Sequence, residues 1–222
     1  MAFSLSEHSL QAIEISVNRV RLRRYQHEGK YVLGEALQLY YWNAELCEAF
    51  YFPLQTAEVL TRNAMHAALW HRYGDSWFAE ARFVNELPGR FRDELAGTLR
   101  DEGNQHGSRL TAHHIVSGLT FGFWQHLTTT SFRHLLWRGG NNGLAHQFPN
   151  AERGANVQTL HDKIQRVRQW RNRIAHHKAI FDKDPLGKYA EILSLIGWMC
   201  ADSSTLVARL CRVEAVHDRK PL

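Results

Sequence analysis

Apolar residues recur at helical spacing along almost the whole chain of 222 residues. No run of alternating polar and apolar residues is long enough to indicate a β-strand. The pattern therefore predicts an all-α fold: a compact helical bundle forming a single domain over residues 1–222. The clearest stripe lies in the segment from about 151 to 177 and comprises Leu160, Ile164, Val167, Trp170 and Ile174.

Glycine, proline and capping residues divide the pattern into predicted helices. Pro53 is expected in the first turn of the third helix, because proline is tolerated there. Ser131 is expected to cap a helix that ends at the glycine-rich run 139–143, and residues 103–108 and 144–150 are expected to be loops. The other helices are expected over about residues 6–26, 31–50, 53–74, 111–127, 151–177 and 188–216, with shorter helical segments near residues 80–101.

The end of the 151–177 helix concentrates polar side chains opposite its apolar stripe. Asn172 and His176 fall on that face together with Arg168, and Arg171 lies at the edge of the stripe, where it can lean toward His176. His177 is expected to point back toward the core, so we interpret His176 as the functional histidine and His177 as the structural one. Arginine can hold a phosphate with two hydrogen bonds, and histidine can move a proton near neutral pH.

The spacing Arg171-Asn172-x-x-x-His176 resembles the Arg-x4-6-His signature of HEPN domains, and the wider chain resembles their Abi-like (abortive infection) branch. Four blocks in the expected order carry this resemblance: Trp42 to Leu46, Glu58-x-x-x-Arg62-Asn63-x-x-His66, Leu119 to Trp124, and Arg171 to His177. The resemblance implies a HEPN-type fold, homodimerisation and metal-independent endoribonuclease activity. It also implies a role as a toxin in abortive infection or phage defence, which allows an antitoxin or a regulatory RNA as a further partner.

The chemistry that these residues suit is attack of a ribose 2′-hydroxyl on the adjacent phosphodiester of RNA. His176 would act as general base or acid, Arg171 would stabilise the charge on the phosphate, and Asn172 would orient the phosphate or hold His176. A mainly binding role for His176 stays open. The reaction needs both an acid and a base, and a two-fold dimer would supply two copies of the motif.

Glu58, Arg62 and His66 follow one another at four-residue spacing, with Asn63 beside them. They form either an ordinary ion pair on a helix surface or a stripe that supports Arg171 or the RNA. The block Leu119 to Trp124 is interpreted as core packing. The adjacent histidines at 113–114 and 176–177 have no partner at zinc-ligand spacing, so no metal and no cofactor are predicted.

Charge and composition indicate a cellular compartment and permit an RNA partner, but they do not distinguish between the possible functions. A net charge of +5 permits an RNA partner, and the arginines at positions 19, 21, 23 and 24 either form a solvated face or guide RNA. Three cysteines without CxxC pairing, no secretory signal and no apolar run long enough for a bilayer favour the cytoplasm, with no membrane. Two alternatives remain: a non-catalytic RNA-binding module and a phage-sensing protein-interaction component.

Overall fold

A helix of 41 residues forms the centre of the molecule, and most other helices pack against it. The computed structural model describes residues 5–26, 31–133 and 144–221, and in these ranges the fold is all-α, without a β-strand. In chain order the helices are α1 (Glu7–Val17), α2 (Arg19–Gln26), α3 (Leu33–Tyr73), α4 (Ala81–Glu86), α5 (Gly89–His106), α6 (Ala112–Gly118), α7 (Phe121–His126), α8 (Leu144–Gln147), α9 (Val157–Ala175), α10 (Pro185–Met199), α11 (Ala201–Leu210) and α12 (Val213–His217).

The central helix α3 corrects the prediction of two helices separated near Pro53. Pro53 is buried inside the continuous helix, although a proline within a helix removes one backbone hydrogen bond. Phe50, Leu54 and Ala57 on both sides of it lie in the same core. We infer that burial of this stripe offsets the lost hydrogen bond, so the chain continues as a helix.

Three predicted helices are instead divided. The first breaks at Asn18, whose φ of 83° ends α1. The segment 111–127 breaks between α6 and α7, and the segment 188–216 breaks at Cys200, where the backbone is extended, and again after α11. Apolar periodicity continues through these breaks because both sides pack on one core, so it does not reveal them.

Other predicted boundaries also differ. Residues 103–108 are mainly helical, because α5 extends to His106, and residues 144–147 form the short helix α8. Helix α9 begins at Val157 rather than near 151, because Asn156 caps it by accepting hydrogen bonds from two backbone N–H groups. Ser131 lies in a 3-10 turn, and the predicted end of its helix at 139–143 lies outside the described residues.

One hydrophobic core extends from Tyr25 in α2 to Val216 in α12. Helix α3 contributes to it along its length and contacts α2, α7, α9, α10 and α12. Phe121, Phe123 and Trp124 are buried in this core, which confirms that their block serves packing. None of the described helices combines the length and the apolar character that crossing a membrane requires.

Candidate functional site

The motif residues lie at the C-terminal end of α9, where the helix stops. Helix α9 ends at Ala175, and His176 is the residue that caps it. His177 adopts a left-handed backbone conformation with φ of 53°, which ends the helix two residues earlier than the predicted boundary at 177. His176 is therefore held by the backbone turn that follows the helix, and its side chain is exposed.

Arg171 is held from the opposite side by the central helix. Its Nε lies 3.3 Å from Oε2 of Glu58, and its Nη1 donates a hydrogen bond to Oδ1 of Asn172 at 3.3 Å. Glu58 is only 9% exposed and also forms an ion pair with Arg62, whose Nη1 donates to the backbone oxygen of Ser117 at 2.9 Å. One nearly buried carboxylate thus lies between two guanidinium groups.

This arrangement decides between the two interpretations of the Glu58 stripe. Glu58 and Arg62 form more than a solvent-exposed pair, because Glu58 contacts Arg171 directly. The same contact corrects the expectation that Arg171 leans toward His176. A guanidinium gains more from a nearly buried carboxylate than from an imidazole, so Arg171 turns toward α3.

Asn172 and His176 open into a basic cavity of about 430 Å³. Five cationic side chains line it, and the acidic groups beside them are Glu191 and Asp182. Glu191 lies 3.6 Å from Nε of Arg166 and 3.1 Å from Nζ of Lys188, and Asp182 lies 3.5 Å from Nζ of Lys183. Positive charge is in excess, and it comes from Arg166, Arg173, Lys178, Lys183 and Lys188.

Arg171 opens into a second, neighbouring cavity of about 370 Å³. Side chains of α3 form one wall, among them Tyr51, Glu58 and Arg62, and Ile174 at the end of α9 contributes to the other. Arg171 is therefore connected to Asn172 by a hydrogen bond, and Asn172 and His176 line the same basic cavity. No direct contact between the side chains of Arg171 and His176 is found in the described part of one chain.

The loop that follows His176 is fixed by residues from distant parts of the chain. Oδ1 of Asn43, in α3, accepts hydrogen bonds from the backbone N–H groups of Ile180 at 2.8 Å and Phe181 at 3.1 Å. The Nε of Arg173 donates to the backbone oxygen of Ala179 at 2.8 Å. Sequence reasoning did not assign Asn43 a role, although it lies in the block Trp42 to Leu46.

Helix α2 fixes the same loop. Arg21 donates a hydrogen bond to the backbone oxygen of His177 at 3.2 Å, and Arg24 pairs with Asp182 at 2.9 Å. Burial acts to raise the pKa of Asp182, but the hydrogen bond and charge of Arg24 outweigh it and hold that pKa below its ordinary value. At least two of the four α2 arginines therefore hold the loop rather than forming a purely solvated face.

The remaining candidate residues lie elsewhere. His177 has an exposed side chain, so its expected packing toward the core is wrong, and its structural contribution comes from its backbone. Arg168 is half-buried against α7, where a Cβ added at Gly122 would lie 3.3 Å from its Nη1. Asn63 is exposed and lines neither cavity, and His66 lies in a third cavity further along α3.

Among the described residues, no three His, Cys, Asp or Glu side chains lie close enough to hold a metal ion. No protein-family model, curated protein or solved structure matches this chain. The fold thus defines the class of the protein as all-α, and the site combines a fixed arginine, an exposed histidine and a basic cavity.

Proposed function

We propose that this protein is a metal-independent endoribonuclease that acts as a homodimer, with Arg171, Asn172 and His176 as its catalytic residues. The observation that carries the proposal is the end of α9, where Glu58 holds Arg171 and where the exposed His176 lines a cavity with excess positive charge. Such a surface suits a substrate that carries phosphates. The resemblance of the four sequence blocks to Abi-like HEPN domains adds the role of a toxin in abortive infection or phage defence.

In the proposed reaction, one histidine takes the proton of a ribose 2′-hydroxyl while its oxygen attacks the adjacent phosphorus. The bond from phosphorus to the 5′-oxygen breaks, and a second group gives that oxygen a proton. The products are a 2′,3′-cyclic phosphate and a 5′-hydroxyl. Arg171 stabilises the charge that develops on the phosphate, and Asn172, which already accepts a hydrogen bond from Arg171, orients the group.

One chain supplies one His176, whereas the reaction needs an acid and a base. A second copy related by a two-fold axis would bring its own His176 and Arg171 to the same phosphate. The exposed position of His176 at a helix end leaves its imidazole accessible to such a copy.

The proposal is tested with labelled RNA in excess EDTA, using wild type, His176→Ala and a control variant, His8→Ala, which removes an exposed histidine of α1. Wild type and the control should cleave RNA and leave cyclic phosphate ends, and His176→Ala should lose about 10²–10⁴-fold in rate. Expression of the wild type alone should arrest growth of the host cell. Cleavage that persists in a clean His176→Ala preparation, or that EDTA abolishes, contradicts the proposal.

A second candidate function is a non-catalytic RNA-binding module. No hydrogen bond to the side chain of His176 is found in the described ranges, so no described group orients it for proton transfer. Binding of phosphates needs only the cations of the basic cavity. This function predicts RNA binding that weakens steeply with salt, without product in any buffer. The EDTA experiment separates the two candidates.

A further inference from the structure

A third cavity, of about 530 Å³, lies along α3 beyond Arg62. His66, which lines it, is eight residues after Glu58 in the same helix, so it lies about 12 Å further along the axis. The lining contains no lysine or arginine, in contrast to the basic cavity. Its aromatic and polar groups include Trp70, Asp75, Phe78 and His113.

Hydrogen bonds to neighbouring groups fix the chemical character of this cavity. The indole N–H of Trp77, which is fully buried, donates to Nδ1 of His66 at 3.0 Å. Since an indole can only donate, Nδ1 is the acceptor, and the neutral ring carries its hydrogen on Nε2, at the edge away from Trp77. Burial, together with the charge of His113, outweighs the opposing charge of Asp75, so the pKa of His66 is lowered and the neutral form is favoured.

Trp70 and Asp75 add an aromatic ring and an acceptor to the same lining. Trp70 is 45% exposed, and its indole N–H donates to the carboxylate of Asp75, which fixes the ring and leaves carboxylate lone pairs free to accept further hydrogen bonds. The lining therefore combines a partly exposed aromatic ring, an imidazole with an N–H donor and a carboxylate acceptor. A phosphate would be repelled by Asp75, whereas a planar heteroaromatic ring with both donor and acceptor atoms on its edge matches all three groups.

We propose that this cavity binds a nucleobase, stacked on Trp70 with its edge toward His66 and Asp75. The inference rests on the proposed function for the source of the base: an RNA strand whose phosphates lie at the basic cavity and Arg171, and whose path follows α3 past Arg62. Stacking on a protein side chain requires a base that is free of its neighbours in a duplex, so the substrate class is single-stranded RNA.

The test measures binding rather than cleavage, with the full chain in EDTA. The main probe is a short, fluorescein-labelled 2′-O-methyl strand, which lacks the nucleophilic hydroxyl and stays intact. The variants are Trp70→Ala, Trp70→Phe and Asp75→Asn, with Tyr41→Ala as control because Tyr41 is 46% exposed on the same helix. An abasic strand of equal length reports the phosphate contacts alone, and adenosine monophosphate as competitor tests whether a free nucleotide is also bound.

Trp70→Ala should weaken binding of the strand by about 5- to 100-fold, since stacking on one aromatic side chain supplies that much. Trp70→Phe should lose much less, Tyr41→Ala nothing, and the abasic strand should not distinguish Trp70→Ala from wild type. Asp75→Asn should change the preference between adenine and uracil. Competition by adenosine monophosphate that disappears in Trp70→Ala would support the base site and extend it to free nucleotides.

Equal binding of the strand by wild type and Trp70→Ala would overturn the base site, and would leave the nuclease standing if wild type still cleaves RNA. Binding that depends on Trp70 without cleavage would overturn the nuclease and leave the base site standing. The two failures are therefore distinguishable. An equal loss of affinity for the abasic strand would also overturn the proposal, because it would assign Trp70 to the path of the backbone.

Discussion

Arg171 and His176 are five residues apart, yet two different regions of the molecule hold them. On the α3 side, a nearly buried carboxylate fixes the guanidinium of Arg171. On the loop side, the imidazole of His176 is exposed, and no hydrogen bond to it is found in the described parts of the chain. The difference indicates that the group suited to holding a phosphate is positioned in advance, whereas the group suited to moving a proton is not.

The loop side is nevertheless not loosely built. Asn43, Arg21 and Arg173 hold the backbone around residues 177–181, so the Cα position of His176 is fixed, whereas its side chain is exposed to solvent. Hydrogen bonds to catalytic groups are often completed only when substrate is bound. In this protein we expect RNA, or a second copy of the chain, to complete them.

After His176→Ala, the largest effect is expected on the α3 side, from Arg171→Ala. Removal of one positioned donor to a charged transition state lowers rates by about 10²–10³-fold. Because several other cations line the neighbouring basic cavity, binding of an uncleavable RNA should fall much less than the rate. Single-turnover cleavage and fluorescence anisotropy measure the two quantities separately.

Arg209→Ala serves as the control, because this arginine is exposed on α11, away from the lining of the three cavities along α3 and α9. It should leave both quantities unchanged. An equal loss of rate and affinity in Arg171→Ala would contradict the comparison, since Arg171 would then contribute to binding alone.

The next effect concerns the carboxylate that holds Arg171. Glu58→Gln keeps the shape of the side chain but removes the charge between two guanidinium groups, so Arg171 loses its fixed position. We expect cleavage to fall about tenfold and the free energy of unfolding to fall by about 1–3 kcal/mol. Urea denaturation and cleavage assays on the same preparation measure both.

Glu48→Gln is the matched control on the same helix. Glu48 pairs with Arg212 at 2.9 Å, but its side chain is 69% exposed, so its loss should cost less than about 1 kcal/mol. If the two variants lose equal stability and Glu58→Gln cleaves normally, Glu58 is an ordinary surface acid and Arg171 is not positioned by it.

The loop side is tested by Asn43→Ala, which leaves the backbone N–H groups of Ile180 and Phe181 without their acceptor. Because Asn43 is only 5% exposed, the free energy of unfolding should fall by about 1–3 kcal/mol. Cleavage should fall less than in Glu58→Gln, since the backbone is displaced but no charge is lost. Asn63→Ala, on the exposed face of the same helix, should change stability by less than about 0.5 kcal/mol. Similar losses in the two variants would show that Asn43 does not hold the loop.

Periodicity alone sufficed for the all-α class and for the core face of α9. Leu160, Ile164, Val167 and Trp170 are buried as predicted, because burial on one face is what the helical repeat of apolar residues reports. Pro53 could not be placed in the same way. Whether a proline interrupts a helix depends on how much core packing opposes the lost hydrogen bond, and that packing is contributed by helices distant in sequence.

The contacts of the candidate site could not be predicted either, because they also join residues that are distant in sequence. Asn43 lies 137 residues before Ile180, and local sequence carries no sign of that pairing. The direction of Arg171 likewise depends on Glu58, which local spacing on α9 does not include. Residue types and spacing predicted which side chains suit phosphate chemistry, and the tertiary fold decided which of them meet.

The smallest expected effect is on the pH dependence of the free energy of unfolding. It concerns α3 again, where His66 accepts a hydrogen bond from the buried indole of Trp77. The pKa of His66 is lowered in the folded protein, mainly by burial, so the folded state binds fewer protons than the unfolded chain. Its contribution to stability is therefore complete above the ordinary value of 6.5 and declines as the pH falls below it.

Urea denaturation at several pH values between about 7 and 5 should show this decline in wild type. His66→Gln should reduce it, because an amide oxygen can still accept from Trp77 and does not titrate in this range. His126, whose pKa is also lowered by burial, should preserve part of the slope. An unchanged slope in His66→Gln would mean that folding does not lower the pKa of His66, and that the α3 side is less firmly fixed than the comparison with His176 requires.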